Sequence, residues 1–253
     1  MIKRKKPRDI RMMKQAGRIA SEALLAVEDK IAPGVSTHEL DAAARETILK
    51  AGAYPAFLGY EGFPASICAS INEEVVHGIP SKERVLKDGN IVGIDVGAVY
   101  KGYHGDNAKT YAVGNVKPQA ARLLKTTRES LYCGIDALKP NAPLGAYSHA
   151  VQTRAESRGF SVVRVYAGHG IGKKLHEPPT VPNYGRPQDG PILRPGTILA
   201  VEPMINEGVP DVESLSDGWT VVTADRKLSA HFEHTVVLLS DGVEILTNWD
   251  QAL

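Results

Sequence analysis

The stretch that decides the fold is residues 91–114, which reads IVGIDVGAVYKGYHGDNAKTYAVG. β-Branched and apolar residues alternate there with small or polar ones, and Lys101-Gly102 lies midway, a pattern typical of two antiparallel strands joined by a tight turn. Asp95 interrupts the first strand, and a turn near Lys101 carries Asp106 back to a position close to it on the second strand. The stretch therefore predicts a β-hairpin on which two carboxylates converge.

The surroundings of Asp95 indicate a binding site. Desolvating an unpaired carboxylate is costly, so Asp95 requires a cation or strong hydrogen-bond donors. Gly93 and Gly97 share its face of the strand at period two, which leaves open volume beside the carboxylate. Such a space suits an ion together with a substrate.

Two helices are predicted before these strands. Apolar residues recur at helical spacing in residues 10–27, and Asp9 is placed to cap the first turn. Ser36-Thr-His-Glu39 is a capping box that opens a second helix. Strands are then predicted in residues 65–78, so the first part of the chain has the order helix, helix, strands.

The same order recurs in the second part of the chain. Helices are predicted for about residues 118–138 and again up to about Ser157. Further strands are predicted to begin near Ser161, Thr197, Thr220 and Ala230. The proline-rich residues 178–195 are predicted to form a surface loop. This recurrence suggests two halves that share one sheet with helices behind it.

Composition limits the class of protein. The chain has 253 residues, 43% of them hydrophobic, which fits a single domain, 1–253, with a short basic N-terminal tail, about 1–8. A net charge of +1 gives no overall attraction to DNA or to a membrane surface. Cys68 and Cys133 are too few for a disulfide framework, and no apolar stretch approaches a membrane span or a signal peptide.

A cytoplasmic location is therefore expected, and the chain is separately expected to act as a monomer, although composition does not determine the oligomeric state. The basic start at residues 3–6 has two interpretations: a solvated tail, which is favoured, or a surface that makes transient contact with RNA, such as the ribosome.

Three more polar residues interrupt predicted strands in the second half. His169 lies between glycines in AGHGIG, Glu202 ends TILAVE, and Glu233 lies in HFEHTVVL. Taken singly, a glutamate at a strand end usually forms a salt bridge, and a lone histidine is usually a hydrogen-bonded core residue. Together with Asp95 and Asp106 they make an oxygen-rich set with few nitrogen atoms, which suits pairs of divalent ions.

These motifs resemble a known family. Gly-Ile-Asp95, His-Gly-Asp106, Gly-His169-Gly-Ile-Gly, Val-Glu202-Pro and Phe-Glu233-His-Thr have the order and spacing found in the type I, bacterial-like methionine aminopeptidases of the pita-bread metallopeptidase superfamily. The resemblance implies an α+β pita-bread fold, with two pseudo-symmetric halves and helices outside a curved, mainly antiparallel sheet. It also implies a hydrolase that removes the initiator methionine from nascent proteins and peptides when the second residue is small.

The resemblance implies a role for each metal ligand. Asp95 would chelate one divalent ion, Asp106 and Glu233 would bridge two, and His169 with Glu202 would complete the ligands of the second ion. A hydroxide held between the two ions would attack the scissile carbonyl. Cobalt, manganese, iron and zinc all suit such a site, so the physiological metal stays open.

Substrate contacts are also implied by the resemblance. The segments NEEVVHGIP and LHEPP look like the family segments that carry two substrate-contacting histidines, here His77 beside the scissile amide and His176 near its carbonyl oxygen. Glu202 would move the proton of the water. Residues at positions of the family's methionine pocket are Phe57, Tyr60, Phe63, Cys68 and Trp219.

Two positions depart from the bacterial pattern. Phe57 stands where relatives often have a small residue, and Leu175 where they often have an aromatic one, so the breadth of substrates stays open. Asn72 and Ser229 match family positions around a monovalent cation.

Two rival functions are an Xaa-Pro aminopeptidase or prolidase of the same superfamily and a non-catalytic pita-bread binding module. The proline-directed relatives carry a sizeable N-terminal domain, for which the two predicted helices leave no room. A type II enzyme is disfavoured because the stretch between His176 and Glu202 is short. Non-catalytic modules lose metal ligands, whereas the full set is present in this sequence.

Overall fold

The computed structural model of the chain describes residues 2–249. The α-helices within that range are α1 Pro7–Glu28, α2 Thr37–Lys50, α3 Pro118–Ala137 and α4 Gly145–Glu156. Each of them corresponds to a helix that the sequence predicts. A short 3₁₀ turn spans Tyr60–Gly62.

The first two helices begin at the predicted caps. The backbone N–H of Lys6 donates to Asp9 Oδ2 at 3.1 Å, so an acidic side chain caps the first turn of α1. At α2, Ser36 Oγ accepts from the N–H of Glu39 at 3.3 Å, and the N–H of Ser36 donates to Glu39 Oε2 at 2.8 Å. Both bonds of a capping box are present, and the prediction is confirmed.

The strands are short, apart from the two of the hairpin. They are β1 Tyr54–Pro55, β2 Ile67–Ile71, β3 Glu74–Val76, β4 Ile91–Tyr100, β5 Tyr103–Ala112, β6 Ser161–Val162, β7 Gly168–Gly170, β8 Glu177–Val181, β9 Ile198–Val201, β10 Met204–Asn206, β11 Val212–Ser214, β12 Val221–Thr223, β13 Ser229–His231, β14 His234–Leu238 and β15 Val243–Ile245.

Hydrogen bonding divides these strands among four antiparallel sheets, where the sequence predicts one. The orders are β1-β4-β2 with β5 on the other side of β4, β13-β10-β6, β11-β12-β3 and β15-β14-β9-β7-β8. Pro203 shows one cause: it separates β9 from β10, and because proline has no N–H to donate to a ladder, the chain leaves one sheet and enters another there. The N–H of Glu233 donates to the carbonyl of Ala108 at 2.8 Å and links the hairpin to the β14 sheet.

The predicted hairpin is confirmed. Strands β4 and β5 pair along their full length, from Ile91 opposite Ala112 to Tyr100 opposite Tyr103. Lys101 and Gly102 form the turn with φ angles of 49° and 78°, which are the left-handed values that a two-residue hairpin turn of this type needs.

Each half of the chain has a pair of helices behind its strands. Helices α1 and α2 pack on each other, and α1 covers β4 and β5; α3 and α4 pack on each other, α3 covers β10 and β13, and α4 covers β6. Leu24 and Leu123 are fully buried between helix and sheet in the respective halves. Among the described helices, none has the length and apolar character needed to cross a bilayer.

Two local expectations are corrected. The proline-rich segment is not loop throughout, because its first residues belong to β8, which pairs with β7. The basic start is attached to the fold at Arg4 and Lys5, although the side chain of Arg4 stays exposed. The Nε of Arg4 donates to the carbonyl of Pro195 at 2.9 Å, and the N–H of Lys5 donates to that of Gly196 at 2.6 Å. These bonds attach the segment to the second half of the chain.

Candidate active site

The hairpin presents two carboxylates on one face. In the register of β4 and β5, Asp106 stands opposite Gly97 and Asp95 opposite Ala108, so the two carboxylates are diagonal neighbours. Cys68 on β2 stands opposite Asp95 on the other edge of β4. Asp106 is buried and Asp95 is half-buried with its Oδ1 covered, and the predicted convergence of the two residues is confirmed.

The second half brings three more groups to the same place. His169 lies on β7, Glu202 directly follows β9, and Glu233 directly precedes β14. His169 Nε2 lies 3.5 Å from Glu202 Oε1 and 3.8 Å from Asp106 Oδ2. One donor atom each from Asp106, His169 and Glu233 lie within 4.8 Å of one another, close enough to share an ion.

The donor set fits divalent metal ions. Asp95 Oδ1, Asp106 Oδ1 and Glu233 Oε1 are buried and accept no hydrogen bond from the described residues. Oxygen atoms in that state require either a cation or a proton, and a cluster of carboxylates with one imidazole is a donor set that first-row divalent ions accept. The residues present therefore match the metals that the sequence implies.

The pKa values of these groups agree with that fit. Burial raises the pKa of Asp106 to about 7. Burial first, and neighbouring carboxylates second, raise the pKa values of Asp95, Glu202 and Glu233 well above their usual range. A bound cation reverses these shifts because it stabilises the ionised forms. Burial lowers the pKa of His169 to about 3, so its imidazole is neutral and has a lone pair for a metal.

One cavity of about 140 Å³ is lined by all the predicted metal ligands, by the two histidines predicted to contact the substrate and by all the predicted residues of the methionine pocket. Its lining is Phe57, Tyr60, Glu61, Phe63, Cys68, His77, Asp95, Asp106, His169, Leu175, His176, Glu202, Trp219 and Glu233. The rings of Phe63 and Trp219 meet edge to face with centroids 5.1 Å apart. The cavity thus combines a charged set with an apolar wall.

At Gly97 the space expected to be open beside the hairpin is filled by Ala56 and Phe57, which pack directly against the glycine. A Cβ at Gly97 would lie 2.8 Å from the Cβ of Ala56 and 2.9 Å from the ring of Phe57. Such distances are too short for carbon atoms, so only glycine allows Phe57 to pack this close to the hairpin.

Two histidines stand beside the charged set. A hydrogen bond of 2.7 Å joins His176 Nδ1 to the hydroxyl of Tyr60, and the ring of His176 lies 4.3 Å from that of His169. His77 packs edge-on against Tyr166, and its backbone has a φ of 61°. Left-handed backbone is uncommon for such a residue and is often found at functional sites. Burial lowers the pKa values of both histidines, which favours their neutral forms.

Residues that the sequence interpretation missed also belong to the site. His231 is 4% exposed, its Nε2 lies 3.7 Å from Glu202 Oε2, and that nitrogen donates to no atom of the described residues. Its position two residues before Glu233 is the signal that could have found it. Glu61 lines the cavity from the 3₁₀ turn, and no pattern in the sequence marks it.

The pair predicted for a monovalent cation lies together outside this cavity. The N–H of Ser229 donates to the carbonyl of Asn72 at 2.9 Å. Asn72 Oδ1 accepts from the N–H of Ile91 at 3.0 Å, and Ser229 Oγ donates to Asn206 Oδ1 at 2.8 Å. Both side chains thus have protein partners, and the cation stays a prediction.

A cluster of carboxylates with one imidazole beside an apolar pocket is typical of metal-dependent hydrolases. Residues 11–239 match the model of metallopeptidase family M24, and the chain belongs to that family. It is therefore a metallopeptidase that uses divalent metal.

Individual relatives agree with the family. The chain is 53% identical over 247 residues to a protein of Bacillus subtilis strain 168 named methionine aminopeptidase 1, covering 98% of this chain and 99% of that protein. The crystal structure of a methionine aminopeptidase from Thermotoga maritima has a TM-score of 0.97 and 47% identity, over 98% of this chain and all (100%) of that one. A prolidase from Pyrococcus horikoshii OT3, with a TM-score of 0.80 and 22% identity, shares the fold over 99% of this chain and 65% of its own.

Proposed function

We propose that the chain removes the N-terminal methionine from new proteins and peptides when the second residue is small. The observation that carries the proposal is a single cavity with four carboxylates and His169 at one side and aromatic side chains at the other. Identity of 53% with a protein named methionine aminopeptidase supports it, and the proline-directed and non-catalytic alternatives have no comparable support.

The charged side of the cavity is assigned to two divalent ions. Asp95 would hold one, Asp106 and Glu233 both, and His169 with Glu202 the second. When bound, such ions supply a nucleophile from water at neutral pH and stabilise negative charge on the substrate carbonyl. The donor set accepts cobalt, manganese, iron or zinc, so availability in the cell decides which is used.

Three side chains are assigned to the reacting atoms. Glu202 is assigned as the proton acceptor for the water, because its carboxylate lines the cavity beside the other charged groups, with Oε1 3.5 Å from His169 Nε2. His176 uses Nδ1 for the hydroxyl of Tyr60, which leaves its other ring nitrogen to donate to the carbonyl oxygen. His77 is assigned to the scissile amide.

The apolar side of the cavity is assigned to the methionine side chain. Tyr60, Phe63, Cys68 and Trp219 offer aromatic faces and a thiol, surroundings that suit a thioether, and Phe57 narrows the same wall. Burial raises the pKa of Cys68, so the thiol stays neutral and adds no charge to the pocket.

Several wider assignments accompany the proposal. Residues 1–253 form one catalytic domain that acts as a monomer, and Asn72 with Ser229 adjoin a monovalent cation. Because nascent chains are made there, the cytoplasm is the proposed compartment, with transient ribosome contact through exposed Lys3 and Lys6.

A peptide comparison tests the function. Manganese-reconstituted protein would be given Met-Gly-X, Leu-Gly-X and X-Pro-Y peptides, and released amino acids would be quantified. We expect cleavage of the first peptide only. Release from X-Pro-Y in preference to Met-Gly-X would favour the proline-directed alternative, and no release from any of them would favour a binding module.

A further inference from the structure

The N-terminal basic segment reaches the neighbourhood of the active site through Lys5. The side chain of Lys5 is 10% exposed, and its Nζ lies 2.5 Å from Glu177 Oε2, whose side chain is also 10% exposed. The backbone of Lys5 is held as well, because its N–H donates to Gly196 at 2.6 Å. Lys5 is thus fixed at both its backbone and its charge, unlike exposed Lys3 and Lys6.

Glu177 also holds the turn of residues 172–175 that precedes it in the chain. Its Oε1 accepts from the N–H groups of Lys173 at 2.9 Å and Lys174 at 3.2 Å. Burial opposes its ionisation, but hydrogen bonds from Lys5 and from the backbone of Lys174 outweigh burial and keep its pKa below the usual value. The carboxylate therefore carries its charge at neutral pH and joins Lys5 to the turn.

Gly172 makes this arrangement possible. A Cβ at Gly172 would lie 2.6 Å from Glu177 Oε1 and closer still to Lys5 Nζ. The carbonyl of Gly172 also accepts from the N–H of His104 at 2.9 Å. The turn of residues 172–175 is therefore held from two directions, by the hairpin and by the N-terminal segment.

His176 is the residue between this turn and Glu177. On its other side the hydroxyl of Tyr60 is a directional partner at 2.7 Å, and the exposed ring of His176 lies beside that of His169 with centroids 4.3 Å apart. A shift of the turn would move the imidazole relative to the charged set. Misplacement of a reacting group by about 1 Å can cost about a hundredfold in rate.

We propose that Lys5 is a positioning residue for His176, acting through Glu177 and the turn of residues 172–175. The inference rests on the proposed function, because it takes His176 to contact the substrate carbonyl. The proposal also gives the basic segment a role other than solvation or RNA contact. Because the ammonium group of Lys5 is paired with Glu177, only the exposed residues beside Lys5 remain available to contact another molecule.

The test compares Lys5→Met with Lys3→Met, which removes the same charge from an exposed position of the same segment. Steady-state kinetics on a Met-Ala-X peptide would be measured on manganese-loaded protein, well below the melting temperature of each variant. We expect Lys5→Met to lower kcat about ten- to a hundredfold with KM changed less than about threefold, and Lys3→Met to match the wild type.

A second pair of variants keeps the test decisive if Lys5→Met folds poorly. Glu177→Gln retains an acceptor for the turn but loses the charge, and it should reproduce the loss in kcat. In the Glu177→Gln background, Lys5→Met should have little further effect, because both changes break the same link. Additive losses in kcat, or a wild-type kcat in Lys5→Met, would overturn the inference.

A spectroscopic measurement separates this inference from the proposed function. In metal-free protein, the imidazole NMR signals of His176 should shift in Lys5→Met and stay in place in Lys3→Met. If wild-type protein cleaves no Met peptide, the proposed function fails while the signals still report the link. Unchanged His176 signals in Lys5→Met would refute the link even if the peptide is cleaved.

Discussion

Removing the metal should make the stability of the folded protein fall as pH rises. In the metal-free chain, Asp106 has a pKa of about 7, and Asp95, Glu202 and Glu233 have pKa values well above their usual range, mainly because they are buried. In the unfolded chain all four carboxylates are ionised near neutral pH. The folded state therefore binds more protons, and its stability is lost as pH rises through the folded pKa values.

The size of the effect follows from the number of protons retained. Each carboxylate that stays protonated only in the folded state lowers the free energy of unfolding by about 1.4 kcal/mol per pH unit. From about pH 6.5 to pH 8 that is about 2 kcal/mol for one such group. For a chain of this size, about 2–4 °C per kcal/mol converts this into a fall in melting temperature of about 4–8 °C.

Below about pH 6.5 the buried imidazoles change the stability in the opposite direction, so the carboxylate effect is clearest above that pH. Burial lowers the pKa values of His169 and His231 to about 3, so their folded forms resist protonation and stability falls as pH decreases. Between about pH 6.5 and pH 8 each imidazole goes from about half protonated to neutral in the unfolded chain, which offsets only about 0.4 kcal/mol per histidine, and the carboxylates dominate.

The assay is thermal unfolding of chelator-treated and manganese-loaded protein at both pH values. Loaded protein should show little change, because the cations keep the carboxylates ionised. Asp106→Asn is the matched variant, and in metal-free form it should melt higher than the wild type at pH 8. A melting temperature that is equal at both pH values in metal-free wild-type protein would refute the reasoning.

Other predictions concern turnover. Chelator-treated protein should be inactive and regain activity with manganese, iron or cobalt; full activity after exhaustive removal of metal, checked by elemental analysis, would contradict the mechanism. Glu233→Ala should abolish turnover and lower metal content while circular dichroism stays native, and near-normal values would show that Glu233 does not bridge the ions. The kcat/KM of Met-Leu peptides should fall about ten- to a hundredfold or more below that of Met-Ala peptides, because overpacking costs about 1–3 kcal/mol; equal values would count against the proposed function. Phe57→Ala should relax this limit if the ring is the gate, and an unchanged ratio would assign Phe57 to the core.

The parts of the fold that the sequence predicts are those with local codes. The capping box of Ser36 and Glu39, and the Lys101-Gly102 turn, depend on residues a few positions apart, so their chemistry is visible in the sequence. The turn also fixes the register of the hairpin, and register decides which side chains share a face. For that reason the convergence of Asp95 and Asp106 could be predicted from residues alone.

The arrangement of the sheets could not be predicted in the same way. Strands such as β6 and β10 are only a few residues long, so alternation of side chains over them is too brief to identify a partner strand. The division at Pro203 depends on which ladder lacks a donor, and that depends on tertiary pairing. The family resemblance implied a curved, mainly antiparallel sheet, but the individual pairings required the structure.

The active site shows the same contrast between a local sequence pattern and a tertiary contact, and His231 and Lys5 are the two examples. His231 ends β13 and Glu233 lies between β13 and β14, so closeness in sequence is the only local signal for His231, and its position 3.7 Å from Glu202 depends on tertiary pairing. Lys5 meets Glu177 across 172 positions of sequence, and nothing near either residue announces the other. A run of cations at the start of a chain is ordinarily solvated, and only the packing of that segment against Gly196 brings one ammonium group under cover beside a carboxylate. Burial is what distinguishes Lys5 from Lys3: an exposed ion pair contributes little, whereas a covered one with defined hydrogen bonds can fix the turn that carries His176.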